Sequence, residues 1–238
     1  MPANTHIVTS FDDELRQLDN RIAEMGGLAE RLVDQSYQAL AKRDTRLAAQ
    51  AIASDKAIDK LEDDLETQAI AMIGRRQPMA MDLRQITASM KIAGEIERVG
   101  DLAKNIAKRA LAVAEEPRPT QLMGGIGHMT EIAQSQLKDV LDAFALRDAA
   151  KAEGVWRKDE QIDAMYNSLF RELLTYMMED PRNIGLCTHL LFAAKNLERI
   201  GDHATNIAET TYYLVTGQQL GDDRPKGDTT STTTIGGH

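Results

Sequence analysis

The stretch IERVGDLAKNIAK at residues 96–108 is written a second time, with few changes, as LERIGDHATNIAE at residues 197–209. Both copies read Glu-Arg-hydrophobic-Gly-Asp and then Asn-Ile-Ala after three more residues. Self-similarity at a fixed separation is typical of a chain built from repeated structural units. The stretch therefore predicts that the protein consists of two related halves.

The repeat extends beyond this motif. ALAKRD at residues 39–44 matches AFALRD at residues 143–148, with an offset of 104 positions that falls to 101 at the motif itself. Three residues are therefore lost between these points, and the turns that contain Pro78 and Pro181 are the expected place, because loops tolerate changes in length. This pattern predicts duplication of a unit made of a helix, a short turn, a helix, a proline-containing turn and a helix.

Apolar residues recur at intervals of three and four, as in Leu15, Leu18 and Ile22, and no segment alternates as a strand would. We therefore predict an all-α fold of two tandem, antiparallel three-helix bundles. The first bundle is expected in residues 1–116 and the second in residues 117–218, followed by a disordered tail at 219–238 rich in Gly, Thr and Asp. The six long helices are predicted near 10–42, 45–74, 80–115, 122–146, 149–178 and 183–216.

Composition excludes several classes of function. A net charge of −9 argues against nucleic-acid binding, which needs a concentrated basic surface. The single cysteine, Cys187, cannot close an intramolecular disulfide and indicates a reducing, cytoplasmic compartment. No signal peptide and no apolar segment of ~20 residues is evident, so we expect no direct membrane insertion and only peripheral association through protein partners.

The motif places acidic side chains in rows, because residues four apart share one face of a helix. Corresponding rows occur in the preceding helix of each half. If the two helices of a half pack with these rows facing, oxygen ligands converge on one place, which suits Mg, Mn or Fe. The candidate metal ligands are Glu97, Asp101 and Asn105 with Asp55 and Asp59 in the first half, and Glu198, Asp202 and Asn206 with Asp159 and Asp163 in the second.

The alternative is that the rows are solvated surfaces partly neutralised by basic neighbours, namely Arg98, Lys104 and Arg199. Retention of the flanking Arg, Gly and Asn-Ile-Ala in both copies leaves the two interpretations about evenly matched. His203 is a weaker candidate ligand, because its counterpart in the first copy is Leu102. No nucleotide-binding or nucleophile motif is present, so we expect no catalytic residues and no organic cofactor.

Several quoted segments together resemble the PhoU family: the two copies of the motif, RRQPMAMDLR at 75–84, EMGGLAE at 24–30 and LLTYMMEDPR at 173–182. The resemblance covers roughly residues 10–217. It implies two three-helix bundles and a negative regulator of the phosphate-starvation response in the bacterial cytosol. The implied partners are the ATPase subunit of the phosphate ABC transporter and a phosphate-sensing histidine kinase. It also implies metal ions, Fe or Zn in some members and Mg or Mn in others, on the acidic motif.

We expect a non-enzymatic adaptor that forms a homodimer and modulates high-affinity phosphate uptake. A metal-dependent carboxylate-bundle enzyme is the alternative, since helix bundles can host di-iron chemistry. That chemistry uses Glu-x-x-His, whereas the third residue after Glu97 and Glu198 is Gly100 and Gly201. A purely structural dimerisation bundle is the third interpretation, and it predicts that removal of the acids changes nothing.

Overall fold

The computed structural model describes residues 3–116 and 120–221, and these ranges contain helices and no strand. A 3-10 turn, Pro181–Asn183, precedes the last helix. None of the described helices has an apolar segment long enough to cross a membrane. The helices are α1 (Ala3–Lys42), α2 (Thr45–Arg76), α3 (Met81–Ala112), α4 (Thr120–Leu146), α5 (Ala149–Arg157), α6 (Asp159–Glu179) and α7 (Ile184–Thr216).

The turn after the first helix of each half has the same construction in both halves. Arg43 and Arg147 both adopt positive φ values, 57° and 54°. The following residues, Asp44 and Asp148, cap the next helix by accepting hydrogen bonds from the backbone N–H groups of the residues three positions on, at 2.8 and 2.9 Å. An aspartate N-cap satisfies an N–H group that the helix itself leaves unpaired. The repeated Arg-Asp pair thus encodes the same sharp turn twice.

Each half is a helical bundle in which the apolar faces of the helices pack against one another. Helices α1, α2 and α3 pack against one another, and α4, α5, α6 and α7 form the second group. The spacing of three and four seen in α1 places Leu15, Leu18 and Ile22 in the core, where each is at most 7% exposed. The all-α fold of paired helical bundles is therefore confirmed.

The two halves meet mainly through α3 and α7, with a smaller contact between α1 and α4. Arg84 near the start of α3 stacks on Tyr213 near the end of α7, with 5.3 Å between the guanidinium carbon and the ring centroid. Arg109 near the end of α3 stacks on Phe192 near the start of α7, at 4.6 Å. The helices that carry the repeated motif therefore run antiparallel, so the motifs lie near the centre of the molecule.

The predicted helix at 149–178 is wrong in one respect, because it is broken at Lys158 into α5 and α6. The backbone carbonyl of Lys158 accepts a hydrogen bond from Nε2 of Gln136 on α4, at 3.1 Å. The equivalent of Gln136 in the first half is Leu32, which cannot donate, and α2 continues unbroken. A tertiary hydrogen bond thus accompanies a break that helical periodicity does not reveal.

Residues outside the α-helices separate the second and third helical regions of each half, at 77–80 in the first half and at 180–183, which include the 3-10 turn, in the second. These are the proline-containing turns where the change in repeat offset is expected. The predicted domain boundary at residue 117 and the part of the predicted tail from residue 222 onwards lie outside the described residues, so both stay predictions.

Candidate functional site

The acidic rows of α2 and α3 converge on the amino group of Lys104. Its Nζ atom contacts the carboxylate of Asp55 on α2 and lies 2.5 Å from Oδ1 of Asp101 on α3. Burial alone lowers the pKa of Lys104, but the hydrogen bonds to Asp101 and Asp55 outweigh it and raise that pKa well above its usual range. A lysine ammonium therefore joins the two rows.

The remaining acids of the first half lie close enough to repel one another. Burial, followed by the charge of Asp101, raises the pKa of Glu97, although Arg98 at 3.4 Å opposes the shift. Burial and the charge of Asp55 likewise raise the pKa of Asp59. Such shifts arise when carboxylates share one poorly solvated place. The structure thus brings the predicted ligands of α2 and α3 together.

In the second half the acidic row is more deeply buried. Glu198 is 4% exposed, and its Oε1 accepts a hydrogen bond from Lys195 at 2.8 Å. Its Oε2 is buried without a hydrogen-bond partner. Burial raises the pKa of Glu198 to about 7, with smaller contributions from Asp202 and Asp163, and Lys195 opposes the shift. The predicted ligands of α6 and α7 therefore converge as well.

Asp159 is the counterpart of Asp55, and its environment differs. It is 1% exposed and accepts a hydrogen bond from the hydroxyl of Thr205 at 2.9 Å. Thr205 occupies the position in the second motif that Lys104 occupies in the first. Equivalent buried aspartates thus meet a neutral hydroxyl in one half and an ammonium in the other.

The motif glycines allow the second and third helices of each half to approach closely. A Cβ atom on Gly100 would lie 3.0 Å from both Oδ1 of Asp55 and Cδ1 of Ile58. A Cβ atom on Gly201 would lie 2.9 Å from Cγ2 of Ile162, the counterpart of Ile58. Both distances are shorter than ordinary van der Waals contact, so the glycines are required by packing.

Asn105 and Asn206 are the predicted ligands at the ends of the acidic rows on α3 and α7. Of these two, Asn206 has a described contact. Asn105 is partly buried on α3. Asn206 donates a hydrogen bond to Oε2 of Glu95, 3.1 Å away, and Nδ1 of His203 lies 2.6 Å from the same oxygen. Glu95, His203 and Asn206 line a groove of about 600 Å³ between α2, α3 and α7. Asn206 therefore takes part in the contact between the halves.

Sequence reasoning missed Glu95 and Lys195. The counterpart of Glu95 is Asn196 and that of Lys195 is Gly94, so comparison of the two copies does not single them out. The available signal for Lys195 is its spacing, three residues before Glu198 on the same helix face.

Metal binding is not preformed among the described residues, because no three His, Cys, Asp or Glu side chains there are placed to hold an ion together. The donor set is nonetheless suitable, since it consists of carboxylate and amide oxygens and includes a buried oxygen of Glu198 without a hydrogen-bond partner. The assignment of the ten candidate ligands stays a prediction.

A model of the PhoU domain matches residues 22–110 and 126–211, once in each half. A phosphate-specific transport system accessory protein PhoU homolog from Rhizobium meliloti (strain 1021) is 56% identical over 230 residues, which is 97% of each chain. A protein with the same name from Caulobacter vibrioides (strain NA1000 / CB15N) is 50% identical and covers 95% of this chain and 98% of its own.

Two crystal structures have the same fold. PhoU from Pseudomonas aeruginosa aligns with a TM-score of 0.85 and 39% identity, over 87% of this chain and all of that one. The phosphate transport system regulatory protein PhoU from Streptococcus pneumoniae aligns with a TM-score of 0.81 and 32% identity, over 89% and 99% of the two chains. Sequence, architecture and the duplicated acidic motif agree: the chain belongs to the PhoU family.

Proposed function

We propose that this protein is a non-enzymatic accessory protein of a phosphate-specific transport system, which modulates high-affinity phosphate uptake and represses the phosphate-starvation response. The observation that carries the proposal is the 56% identity, over 97% of both chains, to a relative that bears the accessory-protein name. The described helices fit an adaptor, because their length offers extended faces to more than one partner.

The proposed partners are the ATPase subunit of the phosphate transporter and a phosphate-sensing histidine kinase, contacted from the cytoplasm by a homodimer. A chain with a net charge of −9 is repelled by an anionic membrane surface. Association with the membrane therefore depends on these protein partners.

Deletion of the gene in the organism that encodes the chain tests the regulatory role. We expect phosphate-starvation genes to be expressed in phosphate-rich medium after deletion, and to be repressed again when the parent gene is restored. Unchanged repression in the deletion strain contradicts the proposal.

Binding measurements test the adaptor role separately. We expect the purified chain to bind the isolated ATPase subunit and the cytoplasmic part of the kinase, and to sediment as a dimer. We expect no flotation with protein-free anionic vesicles. Strong flotation together with no binding to either protein argues against an adaptor that works through these partners.

The acidic rows supply the proposed metal sites, with Fe, Zn, Mn or Mg bound by carboxylates after local side-chain movement. When bound, such an ion would relieve the repulsion among the carboxylates that hold it. A ligand that binds only the folded protein raises its stability, by ~2.7 kcal/mol at a hundredfold excess over Kd. We expect metal to raise the melting temperature of chelator-treated protein, and expect Asp101→Asn with Asp202→Asn to lose most of this increase. Identical responses in both proteins exclude these two aspartates as ligands.

A further inference from the structure

Lys104 and Thr205 hold equivalent positions in the two motifs and contact equivalent aspartates, Asp55 and Asp159. We propose that Lys104 is an internal cation that closes the first acidic row to metal ions. This inference rests on the proposal that the carboxylates of the acidic motif can hold metal ions, and it says what limits that binding in the first row.

The ammonium group of Lys104 lies between α2 and α3. The Nζ atom of Lys104 contacts carboxylates from two helices, Asp55 on α2 and Asp101 on α3. An ion that bridges these helices through the same two carboxylates would need the same place. Two cations cannot share it, because their repulsion in a partly buried site is strong. Metal binding to this row therefore requires that the lysine side chain be displaced.

The buried carboxylate of Asp55 depends on that ammonium for a compensating positive charge. Asp55 is 2% exposed, and its Oδ1 is buried without a hydrogen-bond partner beside Gly100. A buried carboxylate is costly unless a positive charge or several donors compensate it. Among the described contacts of Asp55, Lys104 supplies the positive charge, so displacement of the lysine is unfavourable unless another cation replaces it.

The second row carries its lysine at a different place. Lys195 lies three residues before Glu198 and donates a hydrogen bond to Oε1 of that glutamate at 2.8 Å. The Nζ atom of Lys195 is 4.9 Å from the centroid of the Tyr166 ring. Next to Asp159 stands the hydroxyl of Thr205, which carries no charge that would repel an ion. The exchange of Lys104 for Thr205 is thus one difference between equivalent positions of the two rows, and a single substitution can reverse it.

The test is to give the first row the residue of the second. Lys104→Thr, the parent and the control Lys108→Thr are stripped with chelator, dialysed against Mn²⁺ and analysed for bound metal per chain. Lys108 is exposed, one turn further along the same helix. We expect Lys104→Thr to bind one more Mn²⁺ than the parent and the control to match the parent. Lys104→Gln provides a second uncharged variant if the threonine variant does not fold.

The double variant Lys104→Thr with Asp55→Asn locates the additional ion. We expect it to bind as many ions as the parent, and expect Mn²⁺ to raise the melting temperature of the single variant more than that of the double variant. Equal metal content in the parent and in both folded Lys104 variants overturns the inference, and so does an additional ion that survives Asp55→Asn.

These measurements distinguish a failure of this inference from a failure of the general proposal that the protein binds metal. A parent that binds no Mn²⁺ and a Lys104→Thr variant that binds one would support the role of Lys104 while contradicting metal binding by the parent. A parent that binds two ions, one of them lost on Asp55→Asn alone, would support metal binding and overturn the role of Lys104.

Discussion

Oε2 of Glu95 on α3 lies 2.6 Å from Nδ1 of His203 on α7, across the interface between the two halves. The same oxygen accepts a hydrogen bond from Asn206 at 3.1 Å. Glu95→Ala should lower the free energy of unfolding by about 1–2 kcal/mol, because two partly buried polar groups lose their shared partner. Urea unfolding measures this change. The control is Glu24→Ala, an exposed glutamate on α1, which should change stability by less than ~0.5 kcal/mol; equal effects would show that the contact does not stabilise the interface.

Arg43 and Arg147 offer a matched pair, because both have positive φ in equivalent turns. Glycine adopts this conformation without steric cost but gains entropy when unfolded, so Arg43→Gly should stay within ~1 kcal/mol of the parent. Arg147 also forms an ion pair with Asp19 at 2.7 Å and stacks on Phe144 at 4.5 Å. Arg147→Gly should therefore be less stable than Arg43→Gly by about 1–3 kcal/mol in urea unfolding. Equal stabilities would indicate that these contacts contribute nothing measurable.

Replacement of Gly94 or Gly100 on α3 by alanine should change the stability of the protein in opposite directions. A Cβ atom on Gly94 meets no atom within 4 Å, so Gly94→Ala should stabilise the helix by up to ~1 kcal/mol. Gly100→Ala places a methyl group 3.0 Å from Asp55 and Ile58 and should destabilise the protein by about 1–3 kcal/mol. Thermal unfolding of the two variants measures the difference, and a stabilised Gly100→Ala would contradict close packing of α2 on α3.

Glu198 should make stability depend on pH. Its pKa rises from an ordinary value of 4.5 to about 7 on folding, mainly because the carboxyl is buried. Between these pH values the folded protein binds more protons than the unfolded chain, so the free energy of unfolding should fall as pH rises from 4.5 to 7. In Glu198→Gln this contribution is absent, and above pH 7 the variant should be more stable than the parent by up to roughly 3 kcal/mol.

Urea unfolding in chelator at pH 5 and pH 8 measures this effect. Glu24→Gln, at an exposed position on α1, should keep the pH dependence of the parent. The same slope in the Glu198 variant and in the parent would exclude Glu198 as its source.

Much of the candidate site could be predicted from sequence, because spacing by four places residues on one helix face regardless of what packs against them. The rows of α2 and α3 therefore meet as expected. The position of the Lys104 ammonium between the two rows could not be predicted. Whether Lys104 reaches Asp55 on a neighbouring helix depends on helix rotation and separation, which the close approach at Gly100 determines.

Periodicity and self-similarity by themselves determined that this protein is all-helical, that its halves are related, and which residues form the acidic rows. These are local properties, set by the 3.6-residue turn of the helix and by the repeat. Tertiary structure alone decided the break at Lys158, which accompanies a hydrogen bond from Gln136, and the bond between Glu95 and Asn206. Such contacts join residues far apart in the chain, and their geometry exists only once the helices have packed.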